Sequence, residues 1–151
     1  MEIYQEINDL LSKGERAAVA TIVSVKGSTP RKNGAKMIVF PDKTTMGTIG
    51  GGVVEANVKE EALKCLKSRR IKLMHIDLNV LKNPEIDMGC GGEMEVLVEP
   101  VYPPDPVVIF GGGHVGSAIF NVLKEIDFDV TIVDDRDQFA SDKRFPEAKN
   151  V

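Results

Sequence analysis

The stretch "PVYPPDP", residues 100–106, places four prolines in seven residues and constrains this chain more than any other feature. Each proline fixes its own φ and lacks an amide hydrogen, so neither a helix nor a central strand is expected to continue through it. The chain should therefore divide there. Residues 1–100 form an N-terminal part, 101–106 a proline-rich linker and 107–151 a second part. A length of 151 residues suits one ordinary domain or two small ones.

The two parts have different periodicities. In the first, "EIYQEINDLLSKG" repeats apolar residues at helical spacing and stops at Gly14. "RAAVATIVSVKG" and "AKMIVFPD" follow as strands rich in β-branched residues. "GTIGGGVVEANVKEEALKCLKSRR" runs from a glycine cluster into a long helix, with Val54, Val58, Ala62, Cys65 and Leu66 along one face. "IKLMHIDL" and "EMEVLVEP" alternate like half-buried strands. The expectation is an α+β domain of roughly four strands and two helices. After the prolines, "PVVIFGGGHVGSAIFNVLKEIDFDVTIVDDR" reads as strand, glycine turn, helix and strand. That is one βαβ unit, so the overall class is α/β: an N-terminal α+β domain and a partial, apparently truncated Rossmann-like unit. Its sheet looks uncovered, from which a homo-oligomer is expected.

Composition excludes several function classes. A net charge of −4 with scattered bases supplies no basic face, so no nucleic-acid partner is expected. No apolar run is long enough to span a bilayer, and the amphipathic N-terminus is no signal peptide. Two cysteines, Cys65 and Cys90, form no Cys-x-x-Cys pair, which fits a reducing cytoplasmic location.

The residues able to carry chemistry lie in glycine-bearing turns. In "GGGHVG", Gly111, Gly113 and Gly116 satisfy G-x-G-x-x-G directly after an apolar strand, and Asp134 closes the next strand. Gly111 permits a tight turn, Gly113 lets a pyrophosphate approach the backbone, and Gly116 lets helix and strand pack closely. Asp134 would suit the ribose of NAD, and Arg136 would tolerate a 2′-phosphate, so NAD(P) preference is open. The same glycines would also serve strand-to-helix packing with nothing bound. His114 at the mouth of the turn either meets a ligand or faces solvent.

In "KGSTPRKNGAKM", Arg31 beside Ser28 and Thr29 suits a phosphate or carboxylate, or is an ordinary solvated base. Gly50, Gly51 and Gly52 offer backbone amides to an anion at a helix start. Glu55 in the first helical turn either caps it or serves a proton or a pterin nitrogen. In "MGCGGEMEV", Cys90 stands before Gly91 and Gly92, as a turn residue or as an accessible thiol. Cys65, on an apolar helix face, reads as a small hydrophobe.

Five stretches taken together resemble the xanthine dehydrogenase accessory family, the XdhC/CoxI-like proteins. They are "GSTPR" at 27–31, "GTIGGGVVE" at 47–55, "MGCGGEMEVLVEP" at 88–100, "GGGHVG" at 111–116 and "VDDR" at 133–136. The resemblance implies a chaperone for molybdenum hydroxylase maturation rather than a turnover enzyme. Such a protein binds molybdenum cofactor (molybdopterin), supports its sulfuration and inserts it into a xanthine dehydrogenase-like client. It implies a sulfur donor such as a cysteine desulfurase as a second partner. Arg31 and the glycine turns would then hold anionic groups, Glu55 the pterin, and Cys90 the molybdenum or a transferable sulfur, a soft thiolate being the expected partner of a sulfur-bound metal. Cys90 is the candidate catalytic thiol and candidate metal ligand. An NAD(P)-binding oxidoreductase and a nucleotide-sensing module are the alternatives.

Overall fold

A computed structural model describes residues 2–79 and 91–151. The chain separates into two compact units, Met1–Pro103 and Pro104–Val151.

Unit 1 begins with α1 (Glu2–Ser12), then strands β1 (Ala17–Gly27), β2 (Lys36–Val39) and β3 (Thr45–Gly47). Helix α2 (Gly52–Ser68) and strands β4 (Lys72–Asp77) and β5 (Gly92–Val101) follow. The strands form one antiparallel sheet in the order β3-β2-β1-β5-β4. Period-2 alternation along the strands makes one face of the sheet apolar throughout, while the other is buried only along β1 and β2. On the first, Ala18, Ala20 and Ile22 of β1, Met37 and Val39 of β2, and Met94, Val96 and Val98 of β5 are buried. The α2 residues Val54, Val58, Ala62, Cys65 and Leu66 cover them, as their helical spacing requires. On the other face Leu10 of α1 packs with Ala17 and Ile38.

Three details depart from the sequence expectation. Strand β3 is an additional, fifth strand of only three residues, too short to show a period. Strand β5 runs into the proline stretch as far as Val101, with Pro100 opposite Ala18. Register shifts between Ile22 and Ser24, so Val23 is extra and stands 42% exposed, as in a β-bulge.

Unit 2 holds β6 (Pro106–Phe110), α3 (His114–Lys124) and β7 (Asp129–Val133), with β6 and β7 parallel. The strand starts on Pro106, a position where the missing amide costs no ladder bond. Ile109, Phe120, Val130, Ile132 and Phe145 make its core, and the rings of Phe120 and Phe145 meet edge to face at 5.1 Å. Asn150 bridges Thr131 in parallel, on β7. The unit is the Rossmann-like βαβ arrangement that the sequence led one to expect. No helix among the described residues is long and apolar enough to cross a membrane.

Candidate functional site

Two of the glycine-bearing stretches of unit 1 meet at the third. Gly27 ends β1 opposite Gly92, the first residue of β5. A Cβ on Gly92 would lie 2.5 Å from the Lys26 carbonyl oxygen and 2.7 Å from that of Ser28. One on Gly27 would lie 2.9 Å from the Gly91 oxygen, which accepts the Ser28 amide at 3.4 Å. The two backbones are in contact, and only glycine fits between them. On the other side of the same loop, a Cβ on Gly50 would lie 2.6 Å from Cγ of Pro30. "GSTPR" is therefore the hinge of the cluster, touching Gly91–Gly92 on one side and the turn before α2 on the other. Thr29 Oγ1 donates to the Arg31 carbonyl at 2.8 Å, and Arg31 itself is exposed beside this contact.

The turn at 48–52 is held by Glu55. Its Oε1 accepts the Thr48 hydroxyl at 2.5 Å, the Gly51 amide at 3.0 Å and the Ile49 amide at 3.1 Å. Gly50, Gly51 and Gly52 all adopt positive φ, so the turn requires them as backbone before any ligand is considered. Burial pushes the Glu55 carboxyl pKa up. The Thr48 hydroxyl and the amides of Gly51, Ile49 and Gly50 outweigh that and hold it below the ordinary glutamate value. Glu55 reaches back over the start of its helix in the manner of a capping residue. Of the two roles open from sequence, this is the one the structure displays.

Cys90 lies outside the described residues, although its chain neighbour Gly91 belongs to the cluster. Cys65 is buried in the α2 core, and burial pushes its thiol pKa up, away from a reactive thiolate. Beyond Gly27 and Gly92, a cavity of about 280 Å³ is lined by Ser24, Lys26, His75, Asp77, Glu93 and Glu95 among others. His75 Nδ1 lies 3.0 Å from Glu95 Oε1. Three carboxylates against one lysine and one histidine make this cavity a poor receptor for phosphate.

In unit 2 the glycine turn is pinned at Gly112. Its amide donates to Asp134 Oδ2 at 2.9 Å, and its carbonyl accepts Arg144 Nε at 2.9 Å. A Cβ on Gly112 would lie 1.8 Å from the Phe139 carbonyl oxygen, and one on Gly116 would lie 1.8 Å from that of Gly111. Those two glycines are packing requirements. Gly113 is different: its φ of −70° suits any residue, and a Cβ there would meet nothing within 4 Å. It caps α3, whose first amides have no partner within the helix, and His114 follows it, exposed. The Asp134 side chain is 2% exposed and bound to Arg136 through Nε at 2.8 Å and Nη2 at 3.0 Å. The Arg136 guanidinium beside it, with the Gly112 amide, holds its carboxyl well below the usual carboxylate range.

Residues 10–77 match the XdhC and CoxI family, and residues 107–150 match the XdhC Rossmann domain. The chain belongs to the XdhC/CoxI-like family. The XdhC and CoxI match takes in the Pro30–Gly50 contact and the Glu55 turn, and the XdhC Rossmann match runs from the glycine turn through Arg144. Among curated relatives, an uncharacterized Escherichia coli protein, YqeB, is 34% identical over 146 residues, 97% of this chain and 27% of YqeB. The molybdenum cofactor insertion chaperone PaoD of Escherichia coli is 28% identical over 102 residues, 66% of this chain and 31% of PaoD. The chain thus spans less than a third of the length of either relative. A crystal structure from Bacillus halodurans, described as a xanthine dehydrogenase, shares the fold with a TM-score of 0.55 at 18% identity. It covers 97% of this chain and 66% of its own.

Several site residues escaped the sequence reading. Thr48 sits inside a quoted motif, and its hydroxyl three residues before Gly51 was the available signal. Pro30, inside the quoted "GSTPR", proves to be the contact to Gly50. Phe139 and Arg144 gave no local signal, because they reach Gly112 only through the folding back of residues 139–145.

Proposed function

We propose that this chain acts in an accessory protein of molybdenum hydroxylase maturation. In this reading it binds molybdenum cofactor as cargo, holds it during exchange of a terminal oxo ligand for sulfur, and passes it to a xanthine dehydrogenase-like client. A cytoplasmic sulfur donor such as a cysteine desulfurase belongs to the same scheme. The observation that carries the proposal is the meeting of "GSTPR", the turn before α2 and Gly91–Gly92 at one end of unit 1. It supports a common site for the exposed Arg31 and for Cys90, which precedes Gly91 in the chain. Arg31 would take the phosphate of the cargo through a charge-assisted fork. Cys90 would face the molybdenum as a soft ligand or as the carrier of the transferred sulfur. Membership in the XdhC/CoxI-like family and likeness to a cofactor insertion chaperone support the same role.

The test compares cofactor retention and client activation for the wild type, Cys90→Ala and Cys65→Ala. Cys90→Ala is expected to lose most of the retained cofactor, while Cys65→Ala retains it as the wild type does. Equal retention and equal client activation by Cys90→Ala would overturn the assignment.

One observation favours a second activity in unit 2, binding of a nucleotide such as NAD(P). The backbone and the packing both leave Gly113 free to carry a side chain, yet the surface over it stays bare. A bare backbone beside the open amides of a helix start is what a pyrophosphate needs. A bound nucleotide would stabilise the folded chain by about 2.7 kcal/mol at a hundredfold excess over its dissociation constant. Thermal melts of the whole chain with and without NAD and NADP test this, and no shift with either rejects it.

A further inference from the structure

Asp134 follows β7 directly, where a dinucleotide fold carries the acidic side chain that accepts the ribose 2′-hydroxyl. Here that carboxylate is already committed. Its Oδ1 accepts the Arg136 amide at 3.0 Å and Arg136 Nε at 2.8 Å, and its Oδ2 accepts the Gly112 amide at 2.9 Å and Arg136 Nη2 at 3.0 Å. A carboxylate has about four lone-pair sites, so a ribose diol would have to displace donors already in place. With 2% of the side chain exposed, there is also little surface left to offer it.

Arg136 is in the opposite condition. Its side chain is 56% exposed, and the fork to Asp134 uses one hydrogen of Nε and one of Nη2. A guanidinium carries five N–H groups, so the remaining ones point away from Asp134. The plane is fixed from two directions, by the fork and by the Phe139 ring 4.2 Å from Cζ. Arg144 lies 5.4 Å from the same ring while its Nε holds the Gly112 carbonyl. Asp134 offsets one of these two positive charges, and Asp135, 96% exposed, is the nearest opposing one, 3.7 Å from Arg136 Nε. A preorganised guanidinium with unspent donors is a receptor for phosphate.

We infer that the nucleotide site of unit 2 takes a dinucleotide carrying a 2′-phosphate in preference to one with a free ribose diol. Arg136 is the discriminating residue, and Asp134 is a positioning residue that locks Arg136 to the glycine turn. The inference rests on the nucleotide reading of the Gly113 turn. It reverses the expectation that Asp134 itself meets the ribose.

Calorimetric titration of the whole chain with NADP and with NAD tests it. NADP should bind tighter by about ten- to a hundredfold, the range of a charge-assisted contact. Arg136→Lys keeps the charge but loses the fork, and should cut that preference to less than about fivefold, by weakening NADP and by freeing Asp134 for a ribose diol. Asp135→Asn, a change at the surface that spares the fork, should tighten NADP but not NAD by about two- to fivefold. It serves as the working variant if Arg136→Lys does not fold. Equal affinities, or a preference for NAD, overturn the inference and leave the nucleotide reading intact. Binding of neither overturns both. An undiminished NADP preference in Arg136→Lys, or an Asp135→Asn change that moves NAD and NADP alike, removes Arg136 from the role.

Discussion

At the scale of single residues, Gly113 differs from the glycines that pack against or bend the backbone. Gly112 and Gly116 touch carbonyl oxygens where a methyl group would stand 1.8 Å away. Gly112→Ala and Gly116→Ala are each expected to destabilise unit 2 by about 1–3 kcal/mol or more, visible as a lowered melting temperature. Gly113→Ala should melt at or slightly above the wild-type temperature, since its φ admits alanine and the unfolded chain loses freedom. The same variant should lose nucleotide-induced stabilisation. A Gly113→Ala protein that binds nucleotide normally would remove the backbone-approach argument.

Glu55 gives a second residue-scale prediction. Its folded pKa lies below the ordinary glutamate value, so its stabilising effect is present above that value, about 4.3, and fades as pH falls through the folded pKa. Glu55→Gln should therefore destabilise unit 1 at pH 7, by about 0.5–2 kcal/mol as for a lost cap, with the difference closing in acid. A constant difference from pH 7 down to pH 3 in urea titrations would show that the charge is not what holds the turn. At this scale much was legible. Cys65 on an apolar face announced core, because helical spacing alone decides it, while Glu55 in a first turn left the cap as one of its open roles. What Asp134 contacts was not legible, because Arg136 and Gly112 reach it only through the folded turn.

At the scale of elements, the joint between β1 and β5 carries the candidate site. Gly92 fills the point where the Lys26 and Ser28 backbones pass closest, so Gly92→Ala must push the strand ends apart. Faster amide hydrogen exchange at the Gly27 end of β1 is expected, with exchange near Ala18 unchanged, since the central pairing with Val98 and Pro100 is remote from the change. Uniform loss of protection along β1 would instead mean that the joint is part of the global core. The α2 face and the alternation of β5 could be read directly, for both rest on periods of 3.6 and 2. Strand β3 and the bulge at Val23 could not, since three residues show no period and a bulge exists only relative to its partner strand.

For the whole molecule, each unit has its own buried cluster, but the two differ in what they leave uncovered. Unit 1 covers one face of its sheet with α2 and the β1–β2 part of the other with α1. Residues 1–103 alone are expected to unfold cooperatively in denaturant. Unit 2 leaves Phe110 81%, Val115 74% and Val122 63% exposed, and so small a unit buries little of its apolar surface. Residues 104–151 alone should show a broad transition without a cooperative midpoint. A sharp transition from that fragment would show that its core, centred on Phe120 and Phe145, suffices.

The sequence by itself determined the helix faces, the βαβ order and the family, because periodicity and glycine turns act locally along the chain. Tertiary structure alone decided that "GSTPR" stands between the α2 turn and Gly91–Gly92, and that Asp134 is spent on Gly112 and Arg136. Those facts depend on distances between backbones far apart in sequence, and a pattern along one dimension carries no information about them.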